Sequence, residues 1–406
     1  MNSRWRHLAR LSRFAPSRRQ VLEAALVTGL AGAVSSIAPA APRRESPQDL
    51  APFLPRIREM RATLHQRVRP WALAVNEGGI ARKEGKPDDH HTYTVDIGQL
   101  MWHFAMMSDS EPYTALRDFA ARYLIVDIKE DPFTKGFVLW RQNPEQKPDA
   151  SGTTEALRIA RALWAGAHAF NRPQDAELAL TVLDGYARHQ TVDKGVWMIC
   201  NYFNFGTRGF ATNSFIIDYD ADFLREVAEA HREKDAERHR KLTELADKSY
   251  EVMRGAVAPC GLLYDLLQPE LKTMYFDPDD KLRVWYFSPN DVVQTNNAST
   301  TAATVAKGAP EVAEGVLAFL LSRAAKIYIH YYGRSGERVQ DRGIGAPEYA
   351  AIARLAALAG NKSATATFVE RALSYWETIV SRPQDYGAWI ASELLLGFHA
   401  ILDLKA

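Results

Sequence analysis

From residue 53 onward, apolar residues recur at intervals of three and four, which is the spacing of one face of an α-helix. No stretch sustains the alternation of apolar and polar residues that would indicate a β-strand. Polar residues or proline mark the helix starts, as at Pro112, Pro173, Pro289 and Pro347. The pattern predicts twelve helices, at about 53–74, 94–108, 112–128, 152–170, 174–190, 212–232, 236–256, 291–307, 311–331, 346–360, 363–381 and 388–404.

The twelve predicted helices alternate in composition. Those that begin near residues 94, 152, 212, 291, 346 and 388 are apolar on most of their circumference or rich in alanine. Their neighbours, such as Asp235 to Arg254 and Asn361 to Arg382, carry a charged face. A helix that is apolar all round is buried, whereas an amphipathic helix covers a surface. The sequence therefore predicts an all-α fold with six inner and six outer helices, and an irregular helical bundle or a solenoid is the alternative.

The alternation also predicts where a site would lie. If the inner helices form a ring, all six begin at the same end, so the polar segments that precede them converge on one mouth. These segments are Tyr93–Asp96, Ser151–Glu155, Asn201–Asp222, Ser288–Asn297, Gly343–Glu348 and Tyr386–Glu393. The two longest connections, at about 191–211 and 257–290, lead to the same end, and loops of this length are usually functional. We therefore expect a binding groove at this mouth.

Composition and charge narrow the classes of function. The chain has 406 residues, of which 47% are hydrophobic and 24% charged, which is typical of a globular protein. The formal net charge is +1, and the first forty residues, with six arginines and one glutamate, carry a net +5, so the remainder carries 1 − 5 = −4. The near-neutral remainder has no basic run, which argues against nucleic acid as a partner. Cys200 and Cys260 are too few for a disulfide framework, and whether they pair with each other stays open.

Residues 1–40 have the features of an export signal. Arginines precede the run Ser17–Leu22, which contains Arg18-Arg19 and resembles the twin-arginine pattern. An apolar segment from Ala24 to Ile37 follows and ends in Ala38-Pro39-Ala40, a typical cleavage site. We predict a signal peptide at 1–40, a linker at 41–52, one domain at 53–406, and a periplasmic or secreted protein. A retained N-terminal anchor is the alternative, and no other stretch predicts an integral membrane span.

Four carboxylates stand out near two of the inner-helix starts. Glu155 follows the polar run Ser151–Thr154 and opens an apolar helix, and Asp218, Asp220 and Asp222 are surrounded by aromatic and aliphatic residues. A carboxylate in apolar surroundings is costly unless it is paired or protonated. Hydrolysis of a glycosidic bond uses both forms, one protonated carboxyl and one ionised carboxylate. We therefore predict Glu155 as a general acid and one of the three aspartates as the base.

Each of these carboxylates also has a structural interpretation. Glu155 lies where a side chain would cap the helix and interact with its dipole. The aspartates would cap the next helix and pair with arginines, for which the candidates are Arg208, Arg225 and Arg158. Asp218 and Asp222 are four residues apart and are predicted to share a helix face, with Asp220 pointing elsewhere.

Aromatic and amide side chains cluster in the segments that lead to the mouth. Aromatic faces stack on sugar rings, and amides and arginines hydrogen-bond to hydroxyl groups, although the same aromatic residues could simply anchor the loops in the core. The predicted substrate-binding residues are Tyr93, Trp102, Trp140, Trp197, Asn201, Tyr202, Arg208, Trp285, Asn296 and Trp389.

No pattern in the sequence calls for a metal or a cofactor. The run Asp88–His91 could contribute metal ligands, but no further ligands follow at a suitable spacing, so we interpret it as an exposed polar loop. The nucleophile elbow, the phosphate-binding glycine loop, the dinucleotide fingerprint and the zinc-binding His-Glu-x-x-His pattern are all missing from the sequence. We therefore predict no cofactor and no metal site.

The alternating helices, together with Ser151–Glu155 at the start of an inner helix, resemble the (α/α)6 toroid of six-hairpin glycosidases, in particular toroidal endoglucanase-type hydrolases. The resemblance covers the architecture over about residues 53–404 and one acid motif. It implies hydrolysis of a polysaccharide or oligosaccharide, with an inner-helix glutamate as acid, here Glu155, and an aspartate elsewhere on the ring as base. Related families often have Ser-Glu-Gly before the helix, whereas here Glu155 follows Gly152 by three positions.

Two other functions fit the same fold. Toroidal polysaccharide lyases use a tyrosine or histidine base near asparagine and arginine, and this chain offers Tyr93, His91, Asn201, Tyr202 and Arg208 for those roles. A non-catalytic protein that binds glycans or serves as an assembly scaffold is the third hypothesis.

Overall fold

The computed structural model of the protein describes residues 49–80, 92–142, 148–268 and 286–404. All twelve predicted helices form within these ranges, and we number them in chain order. They are α1 Leu54–Leu73, α2 Thr94–Met106, α3 Ser110–Tyr123, α4 Thr153–Ala169, α5 Pro173–Ala187, α6 Ala221–His231, α7 Ala236–Gly255, α8 Thr295–Ala302, α9 Pro310–Leu321, α10 Ala346–Leu358, α11 Lys362–Ser381 and α12 Ala388–Asp403.

The even-numbered helices form an inner ring, and the odd-numbered helices pack around it. Helix α2 contacts α4, α8 contacts α10, α10 contacts α12, and α12 closes the ring against α2. Between α4 and α8, a 3-10 turn at Ile216–Asp218 contacts both neighbours and leads into α6. Burial follows the rings: inner helix α2 buries ten of its thirteen residues, whereas outer helix α1 buries seven of twenty.

Five predicted helix boundaries are wrong: the helices expected to end at 128 and 307 end at Tyr123 and Ala302, and at the other three boundaries short strands take up the backbone groups that a longer helix would use. The helix expected at 212–232 begins at Ala221, after Ser214–Phe215 has paired with Leu266–Leu267. The helices expected at 291–307 and 311–331 are shortened because Val292–Gln294 pairs with His330–Tyr332.

Within the described ranges these strands are short and lie in the connections that lead into inner helices. All pairs are antiparallel, and one sheet has three strands, in the order β7-β8-β9. They are β1 Thr92–Tyr93, β2 Arg141–Gln142, β3 Gln190–Asp193, β4 Val196–Ile199, β5 Phe203–Asn204, β6 Gly209–Phe210, β7 Ser214–Phe215, β8 Leu266–Leu267, β9 Tyr286–Phe287, β10 Val292–Gln294 and β11 His330–Tyr332.

The helices of the ring approach closely. A Cβ atom on Gly98 of α2 would lie 2.8 Å from the Cβ of Arg158 and 3.0 Å from its backbone carbon, so glycine is what lets α2 and α4 pack at this distance. Leu50, in the predicted linker, is buried. Cys200 and Cys260 are free thiols. Among the described residues, no helix combines the length and the apolarity that crossing a membrane requires.

A chain of hydrogen bonds between three imidazoles joins the first and last inner helices. His103 of α2 lies 3.0 Å from His65 of α1, from Nε2 to Nδ1, and 2.9 Å from His399 of α12, from Nδ1 to Nε2. At one end, Nδ1 of His399 lies 3.2 Å from Nη1 of Arg61. At the other end, Nε2 of His65 lies 3.2 Å from a carboxylate oxygen of Asp109. All three histidines are buried, and we call this set the histidine chain.

The two ends fix the direction of the histidine chain. Arg61 can only donate, so Nδ1 of His399 accepts, and each following Nε2–H then donates to the next Nδ1 until His65 donates to Asp109. Arg69 also donates to Asp109, at 2.9 Å. Every imidazole is therefore neutral with its proton on Nε2, because a second proton on any of them would place two hydrogens between two nitrogens.

Burial lowers the pKa of all three imidazoles. The pKa of His399 falls to about 3, and nearby Arg61 and His65 add to the effect of burial. The pKa of His103 lies well below its usual value, mainly through burial, and that of His65 is lowered by burial despite the attraction of Asp109. An unfolded histidine takes up a proton near pH 6.5, whereas these remain neutral. Stability is therefore complete above that pH and falls as the pH drops below it.

Replacing His399 with glutamine should reduce the acid sensitivity of the fold, because an amide takes up no proton in this range. His399 alone should lower the free energy of unfolding by roughly 2 kcal/mol between about pH 7.5 and pH 5, and the variant should lack this contribution. Urea denaturation at both pH values measures the difference. His168→Gln is the control, since His168 is exposed on α4. An unchanged pH dependence in His399→Gln would contradict the neutral histidine chain.

Candidate active site

The first turns of five inner helices, α2, α4, α8, α10 and α12, meet at one end of the ring, which we call the mouth, whereas α6 begins beside the residues that follow the last turn of α8. The third residue of four inner helices is polar or acidic: Asp96 in α2, Glu155 in α4, Asn297 in α8 and Glu348 in α10. Free N–H groups of the first turns point toward this end, so it favours acceptors and negative charge. The predicted convergence of polar segments is therefore present in the fold.

Glu155 folds back over the residue that precedes its helix. Gly152 is the N-cap residue of α4, and a Cβ atom placed on it would lie 1.9 Å from Oε2 of Glu155 and 3.2 Å from the Cβ of Trp140. A side chain at position 152 would therefore displace the carboxylate. The carboxylate thus lies against the first turn of α4, where the helix dipole favours negative charge, while the Gly152 N–H donates to the Val138 carbonyl at 2.8 Å; the side chain is partly exposed at the mouth.

Asp218 lies beside Glu155 and has no exposed surface. Its Oδ1 accepts a hydrogen bond from the Thr154 hydroxyl at 2.6 Å, and its Oδ2 accepts one from the backbone N–H of Phe215 at 2.9 Å. Burial raises the pKa of Asp218 to about 7, and the negative charge of Glu155 raises it further, against the lowering effect of the two donors. The two carboxyl groups thus form an interacting pair on either side of Thr154, which we call the mouth pair.

Asp220 and Asp222 lie deeper in the ring and are engaged in structural contacts. Arg161 holds Asp220 with two hydrogen bonds, of 2.9 and 2.6 Å, and Asp220 also caps α6. Asp222 accepts from the Tyr250 hydroxyl at 2.7 Å and from the backbone N–H groups of Lys307 and Gly308 at 2.9 and 3.0 Å.

Two expectations about the aspartates are wrong. Asp218 and Asp222 do not share a helix face, because α6 begins at Ala221 and Asp218 belongs to the preceding 3-10 turn. The hydrogen-bonded arginine partner of Asp220 is Arg161, which was not among the three candidates. Of those, Arg208 pairs with Asp131 and Arg225 pairs with Asp247.

Tyr93 and Trp140 border the mouth pair. Strands β1 and β2 place Tyr93 opposite Arg141, and the rings of Tyr93 and Trp140 have centroids 5.8 Å apart. The indole N–H of Trp140 donates to Asp149 at 3.0 Å, and the Arg141 guanidinium lies 4.0 Å from the centre of the indole ring. Both aromatic side chains are partly exposed, so they can offer faces to a sugar ring beside Glu155.

The other predicted binding residues are spread more widely. Asn201, whose carbonyl accepts from Thr153, and the first-turn residues Asn296 and Trp389 lie near inner-helix starts. Tyr202 and Arg208 are exposed on the loop around β5 and β6. Trp197 packs in the β3–β4 hairpin beside Lys248 of an outer helix.

Of the predicted binding residues, Trp102 lies away from the mouth and Trp285 lies outside the described residues. Trp102 is the ninth residue of α2, at the far end of the ring from the mouth. Trp285, His91 and the rest of the run Asp88–His91 lie outside the described residues. Within the described residues, no group of three or more histidine, cysteine and acidic side chains is arranged to hold a metal ion.

Asp265 is a mouth carboxylate that the sequence interpretation missed. Its backbone carbonyl accepts from Ile216, two residues before Asp218, and its carboxylate accepts from Ser288 at 2.7 Å and from Asn297 at 3.2 Å. It lines a cavity of about 290 Å³ between the 3-10 turn and α8, and burial raises its pKa. A lone acid within the apolar run Leu262–Leu267, in the second long connection, was the available signal.

Solved structures of low sequence identity share this fold. The chain is similar to an alpha-amylase from Clostridium perfringens (TM-score 0.62, 14% identity, 84% of this chain and 97% of that chain). It is also similar to a GH8 xylobiose complex from Teredinibacter turnerae (0.57, 15%, 88% and 97%) and to an endo-1,4-D-glucanase from Vibrio fischeri (0.57, 12%, 80% and 92%). No family model and no curated protein matches the chain. The predicted (α/α)6 toroid is confirmed.

Replacing Asp218 with asparagine should change how stability depends on pH. The folded carboxyl keeps its proton up to about pH 7, whereas an unfolded aspartate loses it near pH 4, so the wild type loses stability as the pH rises between these values. Between about pH 4 and pH 7.5, the free energy of unfolding of the wild type should fall by roughly 4 kcal/mol more than that of Asp218→Asn. Denaturant unfolding measures it, with the exposed Asp127→Asn as control. Parallel curves for the wild type and Asp218→Asn would contradict the raised pKa.

Proposed function

We propose that the protein is an exported glycoside hydrolase that cleaves a polysaccharide or oligosaccharide at the mouth of the ring. The observation that carries the proposal is the mouth pair: a partly exposed glutamate beside a buried aspartate whose pKa is about 7. The similar structures are named as an alpha-amylase, an endo-1,4-D-glucanase and a GH8 xylobiose complex. Export is supported by the Arg18-Arg19 run and by the Ala38-Pro39-Ala40 site, which lie in residues 1–40.

The mouth pair supplies the acid. Two adjacent carboxyl groups resist the loss of their second proton, so up to about pH 7 the pair offers one proton and one negative charge. Glu155 is the exposed member and can reach a bound sugar, so we assign the protonation of the glycosidic oxygen to the form of the pair in which Glu155 holds the shared proton and Asp218, with its donors Thr154 and Phe215, holds the charge. Asp218 is buried and is a positioning residue that keeps a proton on the pair near neutral pH.

Asp265 is the best-placed described carboxylate for the second role, the activation of water. It faces a cavity of about 290 Å³ that borders the 3-10 turn of Asp218, whereas the oxygens of Asp220 and Asp222 are occupied by structural donors. Asn297 and Ser288 hold its carboxylate in place. Hydrolysis with inversion needs a gap for water of ~6.5–9.5 Å between the two carboxyl groups. Tyr93 and Trp140 would stack against the sugar on the Glu155 side.

Non-catalytic glycan binding is the second candidate, and one observation favours it. The Glu155 carboxylate lies against the first turn of α4, where interaction with the helix dipole alone would account for it, and the first-turn Glu348 of α10 has a structural role of this kind, since its Oε2 accepts from the Gly345 N–H at 2.8 Å. A purely capping Glu155 would make the mouth a binding surface alone. Because Glu348 holds the same third position in another inner helix and caps it, Glu348 is a control for a purely structural first-turn glutamate.

Glu155→Gln should lower turnover ~10²–10⁴-fold, because the amide can cap the helix but cannot donate the acidic proton. Glu348→Gln should retain activity and change stability by at most ~1 kcal/mol. Reducing-end release from xylo-, cello- and malto-oligosaccharides measures turnover, and calorimetry measures binding. Asp265→Asn should lose turnover while still binding the sugar.

The same assay separates the competing functions. Products with the ultraviolet absorbance of an unsaturated sugar, formed from uronate polymers, would show a lyase instead. Sugar binding without any product, equal in the wild type and Glu155→Gln, would show a binding protein. Equal turnover in Glu155→Gln and the wild type would remove Glu155 from the mechanism.

Gly152→Ala tests the placement of the acid separately from its chemistry. The new Cβ would occupy the space of Oε2 of Glu155, and a flexible side chain can move aside at little cost in stability. We expect kcat to fall by at least about tenfold with the melting temperature nearly unchanged, because an acid displaced by about 1 Å loses much of its effect. Gly315→Ala, on outer helix α9, is the control for a general glycine effect, because a Cβ atom there would meet no atom closer than 4.0 Å. Full activity in Gly152→Ala would mean that the observed position of Glu155 is not required.

A further inference from the structure

A second cavity, of about 180 Å³, lies at the opposite end of the ring from the mouth. Its wall comes from the last turns of the inner helices, including Met106 of α2, Leu358 of α10 and Ala400 of α12, and from the residues that follow α8. We call it the far cavity. Its wall contains neither Glu155, Asp218 nor Asp265, so a ligand bound there would not depend on the proposed hydrolysis at the mouth.

Most polar groups in the wall of the far cavity already have partners. Arg161 is held by both oxygens of Asp220. Asp222 accepts three hydrogen bonds, and both ring nitrogens of His399 belong to the histidine chain. Asp222 and His399 therefore have little capacity left for a ligand, and the charge of Arg161 is balanced by Asp220. Glu226 and Asp403 are exposed at the rim.

Arg354 is the exception. Its side chain is 5% exposed and lines the far cavity, yet its Nη1 has no hydrogen-bond partner among the described residues. Burial lowers its pKa to about 10, and the nearby Arg158 lowers it further, so it is still positively charged at neutral pH. Glu393 attracts it without accepting a hydrogen bond from Nη1. A buried cation with an unused donor is costly, and an anionic acceptor would relieve that cost.

Trp102 holds this arginine in place and provides an apolar surface next to it. The Trp102 ring is in contact with two guanidinium groups, with the carbon of Arg161 at 4.8 Å and that of Arg354 at 5.3 Å from the ring centre. Leu396, Leu358 and Met106 extend the apolar wall. The cavity therefore combines one unsatisfied cationic donor with a mainly hydrocarbon surface, a pairing typical of small-ligand sites.

We propose that the far cavity binds a small carboxylate with a compact apolar body. The carboxylate would accept from Nη1 of Arg354, and the body would pack against Trp102, Leu358 and Leu396. The volume fits a ligand of this size, since an apolar cavity of ~150 Å³ can hold benzene. A free sugar has hydroxyl groups on all sides and would leave most of them unpaired against this wall.

Benzoate is the probe, with benzyl alcohol as its neutral counterpart and the full chain as the protein. We expect saturable binding of benzoate by calorimetry and a higher melting temperature in its presence. Arg354→Met should weaken benzoate binding at least about tenfold, because it removes a hydrogen bond between charged groups. Arg338→Met, at an exposed arginine, should leave it unchanged.

Ala400→Phe gives a second test that leaves every charge in place. Ala400 lines the far cavity, so a phenyl ring there should fill it and abolish benzoate binding while turnover at the mouth continues. Three results would overturn the proposal: no saturable benzoate binding, equal affinity for benzyl alcohol, or benzoate binding that survives both Arg354→Met and Ala400→Phe. Loss of sugar hydrolysis without loss of benzoate binding would bear only on the mouth.

Discussion

The closure of the inner ring depends on contacts between parts of the chain that are far apart in sequence. Each of the inner helices α2, α4, α6, α8 and α10 is followed within a few residues by the outer helix that comes next in the chain. At the seam between α12 and α2 no such connection exists, and the histidine chain lies there with α1 packed against it. The mouth is built from helix starts held at fixed distances, so an open seam would separate Asp96 and Glu155 from Trp389.

In the inner helices α2 and α4, residues three positions apart run from the mouth at one end of the ring to the far cavity at the other. In α2 and α4, the third residues, Asp96 and Glu155, lie at the mouth, and the ninth residues, Trp102 and Arg161, lie at the far cavity. Between them, Gln99 donates to Glu393 and accepts from Ser392 at 2.8 Å, which forms a buried polar layer. Glu393 of this layer also attracts Arg354 in the wall of the far cavity, so the layer links the middle of the ring to its far end.

Periodicity was sufficient to predict the helices and their alternation, because burial of a whole helix leaves a clear mark on composition. It also placed Glu155 at an inner-helix start. It could not predict the 3-10 turn of Asp218, since that turn depends on the pairing of Phe215 with Leu266, a contact between distant segments. The histidine chain was equally hidden, because its three members lie on helices that only the closed ring brings together. Asp265 was missed because its partners Ser288 and Asn297 come from a later part of the chain.

The seam has a consequence for the order of folding. Arg61 and His399 are 338 residues apart, so the ring cannot be completed until nearly the whole chain has left the ribosome. Until then the apolar edge of α2 has no α12 to cover it, and His103 lacks its second imidazole. Each pair of successive inner and outer helices can form locally. Helix α12, however, is synthesised last, and α2 stays uncovered until α12 packs against it. The interval between synthesis of α2 and α12 is therefore the period in which the nascent protein is most open to aggregation or to chaperone binding.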